Sequence, residues 1–429
     1  MVLIFLRSPG EAIQAMRSRS VIFNLSQFLV ATALIASPAL AKKKVPPVAG
    51  PPILMSDSFR ASVQAAQNAL RARDAAAAQS SISALMPSND FEAYVAAGLR
   101  FELASQKLDP QAQRIALTDM FKTNSVPKTD APRLRFAAAY LSYKVGNYDD
   151  AIAQLDYAKT LGYDGVDALM LRSDIALRRN KPKEARPLVQ QAIMAQKAAG
   201  KEVPVAWLDK AISMAYQAGD WTEVGQLYRE RLSRIDNKEE WRTALVNYQA
   251  AAEIEPQLQL DLYRLQAANG AMASERDYQA YAQAAEKAGY FSEAKTIIES
   301  GRSAGKLTTT HSSTSQILKA VTPKAPKEIA ALPALAKKAA ASSNGKDALA
   351  VADDYFSLAQ YPQAAEQYRA ALTKGGIDSN RVNTRLGVAL ARSGDLPGAR
   401  AALAQVGGSW AAVAGFWSVW VDHKDQKAA

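Results

Sequence analysis

Along residues 385–406, "RLGVALARSGDLPGARAALAQV", small and apolar side chains recur at helical spacing on both sides of a polar Gly394-Asp395 pair. That pattern predicts a helix, a tight turn and a second helix folded back on the first. It recurs upstream. A small residue, followed four positions later by a larger apolar one just after a polar turn, appears as Ala151/Leu155 in "GNYDDAIAQLDYA", Ala185/Val189 in "NKPKEARPLVQQA" and Val224/Tyr228 in "GDWTEVGQLYRER". It appears again as Ala294/Ile298 in "GYFSEAKTIIESG" and Ala364/Tyr368 in "QYPQAAEQYRAA", before Ala399/Leu403 of the first-quoted stretch. The small anchors lie 34, 39, 70, 70 and 35 residues apart. Since 70 is twice 35, one phase runs through the chain, with degenerate units expected near 259 and 329. Hairpins are traced there as "EEWRTALVNYQAAAEI" with "QLQLDLYRLQAA", and "SQILKAV" with "EIAALPALAKKAA".

The alternation has a physical cause. The small anchor sits where two antiparallel helices approach closely, and the larger residue one helical turn later fills the gap toward the next hairpin. The residue after each turn (Tyr148, Trp221, Phe291, Tyr361, Leu396) is large and is expected to pack back across its own hairpin. No pair of alternating segments joined by a hairpin turn stands out, and runs such as Ala75 to Ala78 favour helix, so the chain reads as all-α.

Leu386-Gly387, the Gly-Asp turn and Ala399 with Leu403 match the L-G, inter-helix turn and A-x3-F pattern of a 34-residue repeat. On these residues the span from about Arg133 to Val406 resembles the tetratricopeptide-repeat family. The resemblance implies a right-handed superhelical solenoid of eight to ten antiparallel helix hairpins. The closing proline is largely missing, and Asn383 stands where the family has tryptophan, so the repeat boundaries are loose. The organisation expected is a signal peptide over 1–41, a Pro-rich lead over 42–56 and divergent N-terminal hairpins over 57–130. Repeats follow over 131–300, a polar loop and degenerate repeat over 301–345, further repeats over 346–406, and a capping helix and tail over 407–429. Trp410, Phe416, Trp417 and Trp420 form the aromatic stripe of that last helix.

The family lines its concave groove with the first helix of each unit. Counting back from the anchors carries that role to Arg133, Phe136, Tyr140, Tyr143 and Lys144, then to Asp174 and Arg178, and to Tyr216 and Gln217. It carries also to Lys287, Arg381 and Arg392. The set mixes charge with aromatic area, which suits an extended protein or peptide segment, or an envelope glycan. The Lys/Asn pattern with which some members hold a C-terminal carboxylate is not reproduced.

The first 41 residues carry Arg17 and Arg19, an apolar run from Phe28 to Ala36 and an Ala39-Leu40-Ala41 cleavage signal, and the true start is either Met1 or Met16. The run is shorter than the roughly 20 residues of a membrane span, so no stable anchor is expected after cleavage. There is no cysteine for a lipid anchor or a disulfide. A bacterial protein exported to the periplasm, or else secreted, is the expectation. Removing Arg7, Arg17, Arg19 and Glu11 from 52 basic and 41 acidic residues leaves 49 against 40. That excess favours an acidic partner, and export argues against nucleic acid.

Catalytic patterns are thin. Gly301-x-Ser303-x-Gly305 spells a nucleophile elbow but follows a helix rather than a strand. Glu299-Ser300 resembles the Glu-Ser pair of lytic transglycosylases, some of which carry a helical superhelix, yet no catalytic domain accompanies it. With only His311 and His423, neither near a partner, no metal or other cofactor is expected. The reading is a non-catalytic scaffold in cell-envelope assembly or export. The alternative is a cell-wall enzyme or accessory resembling the superhelical transglycosylases.

Overall fold

The computed structural model describes residues 55–251, 253–310 and 312–428. The expected signal peptide, nearly all of the Pro-rich lead and His311 lie outside the described residues. Among the described residues the chain is helical throughout, with no strand, and it divides into two compact units, one through Trp207 and one from Leu208.

The first unit holds α1 (Asp57–Arg71), α2 (Ala75–Ser83), α3 (Asp90–Gln106), α4 (Pro110–Phe121), α5 (Ala131–Lys144), α6 (Tyr148–Thr160), α7 (Val166–Arg178) and α8 (Pro182–Ala198). Consecutive helices pair as hairpins, α1 with α2 through α7 with α8. Its core is a series of clusters, each joining one hairpin to the next helix. Phe59, Leu70, Ile82 and Leu99 make one, and Phe101, Leu117, Met120 and Leu134 the next. Phe136, Ala151, Leu155 and Leu171 make the third. This is the nearest-neighbour packing of a solenoid. The N-terminal hairpin is fastened by buried Glu92, which accepts from the N–H and hydroxyl of Ser56 (2.8 and 2.9 Å) and of Ser88 (2.7 and 2.8 Å). Those donors, the Ser88 N–H first, hold its carboxyl down at about 2.

The repeated turn works through two residues. In "GN" and "GD", Gly146, Gly219 and Gly394 take left-handed φ values of 78°, 69° and 92°, and the following Asn147, Asp220 and Asp395 accept backbone N–H groups of the next helix. Ala359 takes the glycine position at φ 56° without glycine's freedom. The large residue after the turn opens the second helix and meets an aromatic five positions earlier: Tyr148 on Tyr143 (6.1 Å), Trp221 on Tyr216 (5.2 Å), Tyr361 on Phe356 (5.6 Å).

The second unit begins within α9 (Val205–Gln217) and continues through α10 (Trp221–Leu232), α11 (Lys238–Ala251), α12 (Pro256–Ala268), α13 (Glu275–Ala288), α14 (Phe291–Ser303), α15 (Ser312–Val321) and α16 (Ala325–Ala341). There follow α17 (Gly345–Ser357), α18 (Tyr361–Lys374), α19 (Ser379–Arg392), α20 (Leu396–Leu403), a 3-10 turn (Gly408–Trp410) and α21 (Ala411–Ala428). All six phased anchors are fully buried. The interpolated unit near 329 departs from the rule, whereas both helices traced near 259 are present and pack together. Ile329 is half exposed, and α15 packs on α13 and α14 while α16 packs on α14 and α17. The polar loop expected from 301 begins inside α14 and is tied down by Leu307, which seats beside Tyr278 over Gly301.

A second departure concerns the C-terminal aromatic helix. The sequence reading makes it a cap on the last repeat, but α21 packs on α10 and α12 as well as on α19 and α20. His423 Nε2 donates to the Leu232 carbonyl at 2.7 Å, Lys427 pairs with Asp236 at 2.5 Å, and Phe416 meets Tyr248 at 5.4 Å. Trp410, Phe416, Trp417 and Trp420 are all buried. The helices of this unit curl until its end meets its beginning.

Helix approach in the best-matched hairpin is set by Gly387, where an added Cβ would lie 2.6 Å from Leu403 Cγ and 3.1 Å from the Ala399 carbonyl oxygen. Gly387→Ala should therefore destabilise the second unit by about 1–3 kcal/mol in urea unfolding. An unchanged midpoint would show that this approach is not tight.

Candidate functional site

On the first unit, α5 and α7 bring part of the expected groove set together. Tyr143 lies close enough to Arg178 to raise that guanidinium above its ordinary range, with further help from Tyr148 and Asp174. Tyr140 and Tyr143 lie half-buried on the cluster beneath, Asp174 is half-buried, and Lys144 and Arg178 are exposed. Arg133, at the first turn of α5, is half-buried and lies near Tyr163, whose hydroxyl burial and Asp167 push up while Arg133 opposes them. Phe136 is placed differently from the expectation. It is buried and stacked on Tyr163 at 4.8 Å, because its position on α5 turns it into the hairpin contact rather than outward.

On the second unit the expected residues do not form one surface. Tyr216 packs on Trp221, Gln217 and Lys287 are exposed, and Arg392 sits over the Tyr361 ring at 5.1 Å. Arg381 is turned inward to pair with Asp353. It is a member of a buried polar network that the repeat pattern does not announce.

That network is an alternation of acid and base. Arg264 of α12 makes two bonds to Glu293 of α14 (2.8 and 2.7 Å) and one to Asp261 (2.6 Å). Asp261 accepts from Arg385 of α19 at 2.9 Å, and Arg385 also reaches Asp353 of α17 (2.7 Å) and Gln257 (2.6 Å). Tyr281 donates to Glu293 and Tyr368 to Asp353, both at 2.7 Å. Burial opposes charge on both guanidinium groups. Glu293 and Asp261 nonetheless hold Arg264 well above its ordinary range, and Asp261 and Asp353 do so for Arg385. Burial pushes the Tyr281 and Tyr368 hydroxyls up, with the adjacent carboxylates adding to it. Every group has an opposite charge or a donor, so the cluster is chemically quiet and structural.

The catalytic patterns fall in ordinary places. Ser303 ends α14, Gly305 takes a left-handed φ of 65° after it, and Gly301 is a packing glycine. Glu299 pairs with Lys295 at 3.8 Å on an exposed face. Among the described residues no group of acidic or histidine side chains is arranged to hold a metal ion, and no helix is long and apolar enough to cross a membrane.

Arg385 makes the network testable. Replacing it with Met leaves Asp261 to Arg264 alone and Asp353 to Arg381 and Tyr368, with less positive charge than the buried carboxylates need, which should cost about 3–5 kcal/mol at pH 7. Burial would raise the Asp353 carboxyl, but Arg385, Arg381 and Tyr368 together hold it below its ordinary range. Its contribution is thus present above the unfolded value of about 3.9 and lost as pH falls through the folded one. The gap between wild type and Arg385→Met, measured by denaturant unfolding, should narrow below about pH 4. A gap independent of pH would contradict the assignment.

A tetratricopeptide repeat family model matches residues 136–202 and 349–411, one span in each unit. No curated protein matches the chain in sequence. Among solved structures, the chain is similar to a tetratricopeptide repeat protein from Parabacteroides merdae, at 10% identity over 70% of this chain and 99% of that one, with a TM-score of 0.33. The maize pentatricopeptide repeat protein PPR10 matches at 11% identity over 86% and 58%, TM-score 0.32. The TPR2AB-domain:pHSP90-complex of yeast Sti1 matches at 14% over 68% and 99%, TM-score 0.25.

Proposed function

Because this chain is a tetratricopeptide-repeat protein, a fold that serves as a protein-interaction scaffold, we propose that it is a non-catalytic scaffold exported to the periplasm, where it takes part in envelope assembly or export. The observation that carries the reading is the face of α5 and α7. There Tyr143 and exposed Arg178 lie near each other, with Tyr140, Asp174 and exposed Lys144 on the same two helices, so aromatic area and positive charge come together. Such a face suits an extended acidic peptide, to which aromatics give contact area and arginine gives directional bonds. In the second unit Arg381 is drawn inward to Asp353 while Gln217, Lys287 and Arg392 stand exposed on separate helices, so the partner face is assigned to the first. Export is supported by the basic, apolar and A-x-A pattern of residues 1–41. Glu299, tied to Lys295 on an open surface, gives the enzymatic alternative no support.

Crosslinking and pull-down from a periplasmic extract test this, with wild type compared against Arg133→Glu, Lys144→Glu and Arg178→Glu combined in a chain whose helicity is verified. The scaffold reading expects a captured protein to be lost, about tenfold or more, on charge reversal. An unchanged set of partners overturns the assignment of this face.

A further inference from the structure

Closure of the second unit creates a cleft of about 830 Å³ between the start of α10, the segment joining α11 to α12, and the 3-10 turn leading into α21. Its apolar walls include Trp221, Tyr248, Leu258 and Val413. A volume of this size accommodates a small organic molecule or the end of a peptide. Arg229 of α10 lines it too, and it differs from most of the inward-turned arginines of this unit. Arg231, Arg234, Arg264, Arg381 and Arg385, whose side chains are a quarter exposed or less, all reach carboxylates. The Arg229 guanidinium has no ion pair and no hydrogen bond among the described residues, and its Nη1 is buried without a partner. Its neighbours there are aromatic: the Phe416 ring, 5.6 Å away, and Tyr248.

The fold makes room for this cation. An added Cβ at Gly415 would lie 2.7 Å from Arg229 Nε and 2.8 Å from its Cδ, and one at Gly225 would lie 3.3 Å from Nη1. Two helices thus omit side chains where the arginine lies between them. A half-buried guanidinium with one nitrogen fully desolvated and no counter-charge carries a cost, and burial depresses the Arg229 pKa. An anion entering the cleft would relieve that cost. Glu253 and Glu255 also line it, so its charge favours a ligand with a single negative group over a polyanion.

We propose that this cleft binds a carboxylate carried on an apolar body, with Arg229 as its charge partner and the aromatic and aliphatic walls taking the rest. The carboxylate belongs to a small organic acid or to the free C-terminus of a peptide. The site is independent of the α5–α7 face and uses a second-helix arginine.

Calorimetric titration of the full chain tests both sources. One arm uses 3-phenylpropionate against 3-phenylpropionamide, and the other uses a tripeptide ending in Ala-Leu against its C-terminal amide. At least one acid should bind saturably, and at least about tenfold more tightly than its amide. The arm that binds names the source. Arg229→Met should reduce the acid to the affinity of the amide, and the acid should raise the melting temperature of wild type but not of the variant. Gly415→Ala, which displaces the guanidinium while keeping its charge, should weaken the acid in the same direction and serves if Arg229→Met does not fold. The proposal is overturned if neither acid saturates, if acid and amide bind alike, or if the folded variant stays within about twofold of wild type.

Discussion

The guanidinium of Arg385 divides its bonds among Asp261, Gln257 and Asp353, which stand on two other helices, and the second unit is organised around satisfying it. An arginine cannot escape burial by losing its proton, so α12, α17 and α19 must meet with the right register or leave charges unpaired in the interior. Arg264 repeats the demand one step further along and shares Asp261 with Arg385. Two rigid forks on one carboxylate leave little freedom in how these helices cross.

The consequence is a unit that is no longer quasi-one-dimensional. In an ordinary helical array each repeat touches its neighbours alone, and stability is nearly a sum of local terms. Here Arg385 reaches back 124 residues to Asp261, and His423 reaches back 191 to the carbonyl of Leu232. The first unit keeps neighbour packing, with hairpins joined by successive clusters and, in Glu92, a buried charge satisfied by nearby serines. One chain thus combines a part whose faces remain available with a part whose interior is occupied by its own side chains and whose closure forms a cleft beside Arg229.

What the sequence made legible was whatever has a period. The anchors Ala151, Ala185, Val224, Ala294, Ala364 and Ala399 kept phase because each marks a close helix approach, and all are fully buried. The turn residues could be read for the same reason, since Gly394 and Asp395 act within a few positions of each other. Residues defined by long-range partners could not be read. Arg385 sits beside the well-matched Leu386-Gly387, and nothing local marks it as different from a solvated arginine. Phe136 and Arg381 were assigned to a groove by counting, yet their actual neighbours, Tyr163 and Asp353, lie 27 and 28 residues away along the chain. The aromatic stripe of α21 was correctly apolar but had no way to name α10 and α12 as its partners. Arg229 was invisible because its distinction is a missing partner.

Closure of the second unit is the central claim, and native-state hydrogen exchange in low denaturant measures it directly. If the end of the unit is docked on its beginning, the core amides of α10 and α21 open together, with one opening free energy and one denaturant slope despite their separation in sequence. Exchange of α21 through its own fraying, at a lower free energy and without any change in the protection of α10, would show that the unit is an open array with a loose last helix.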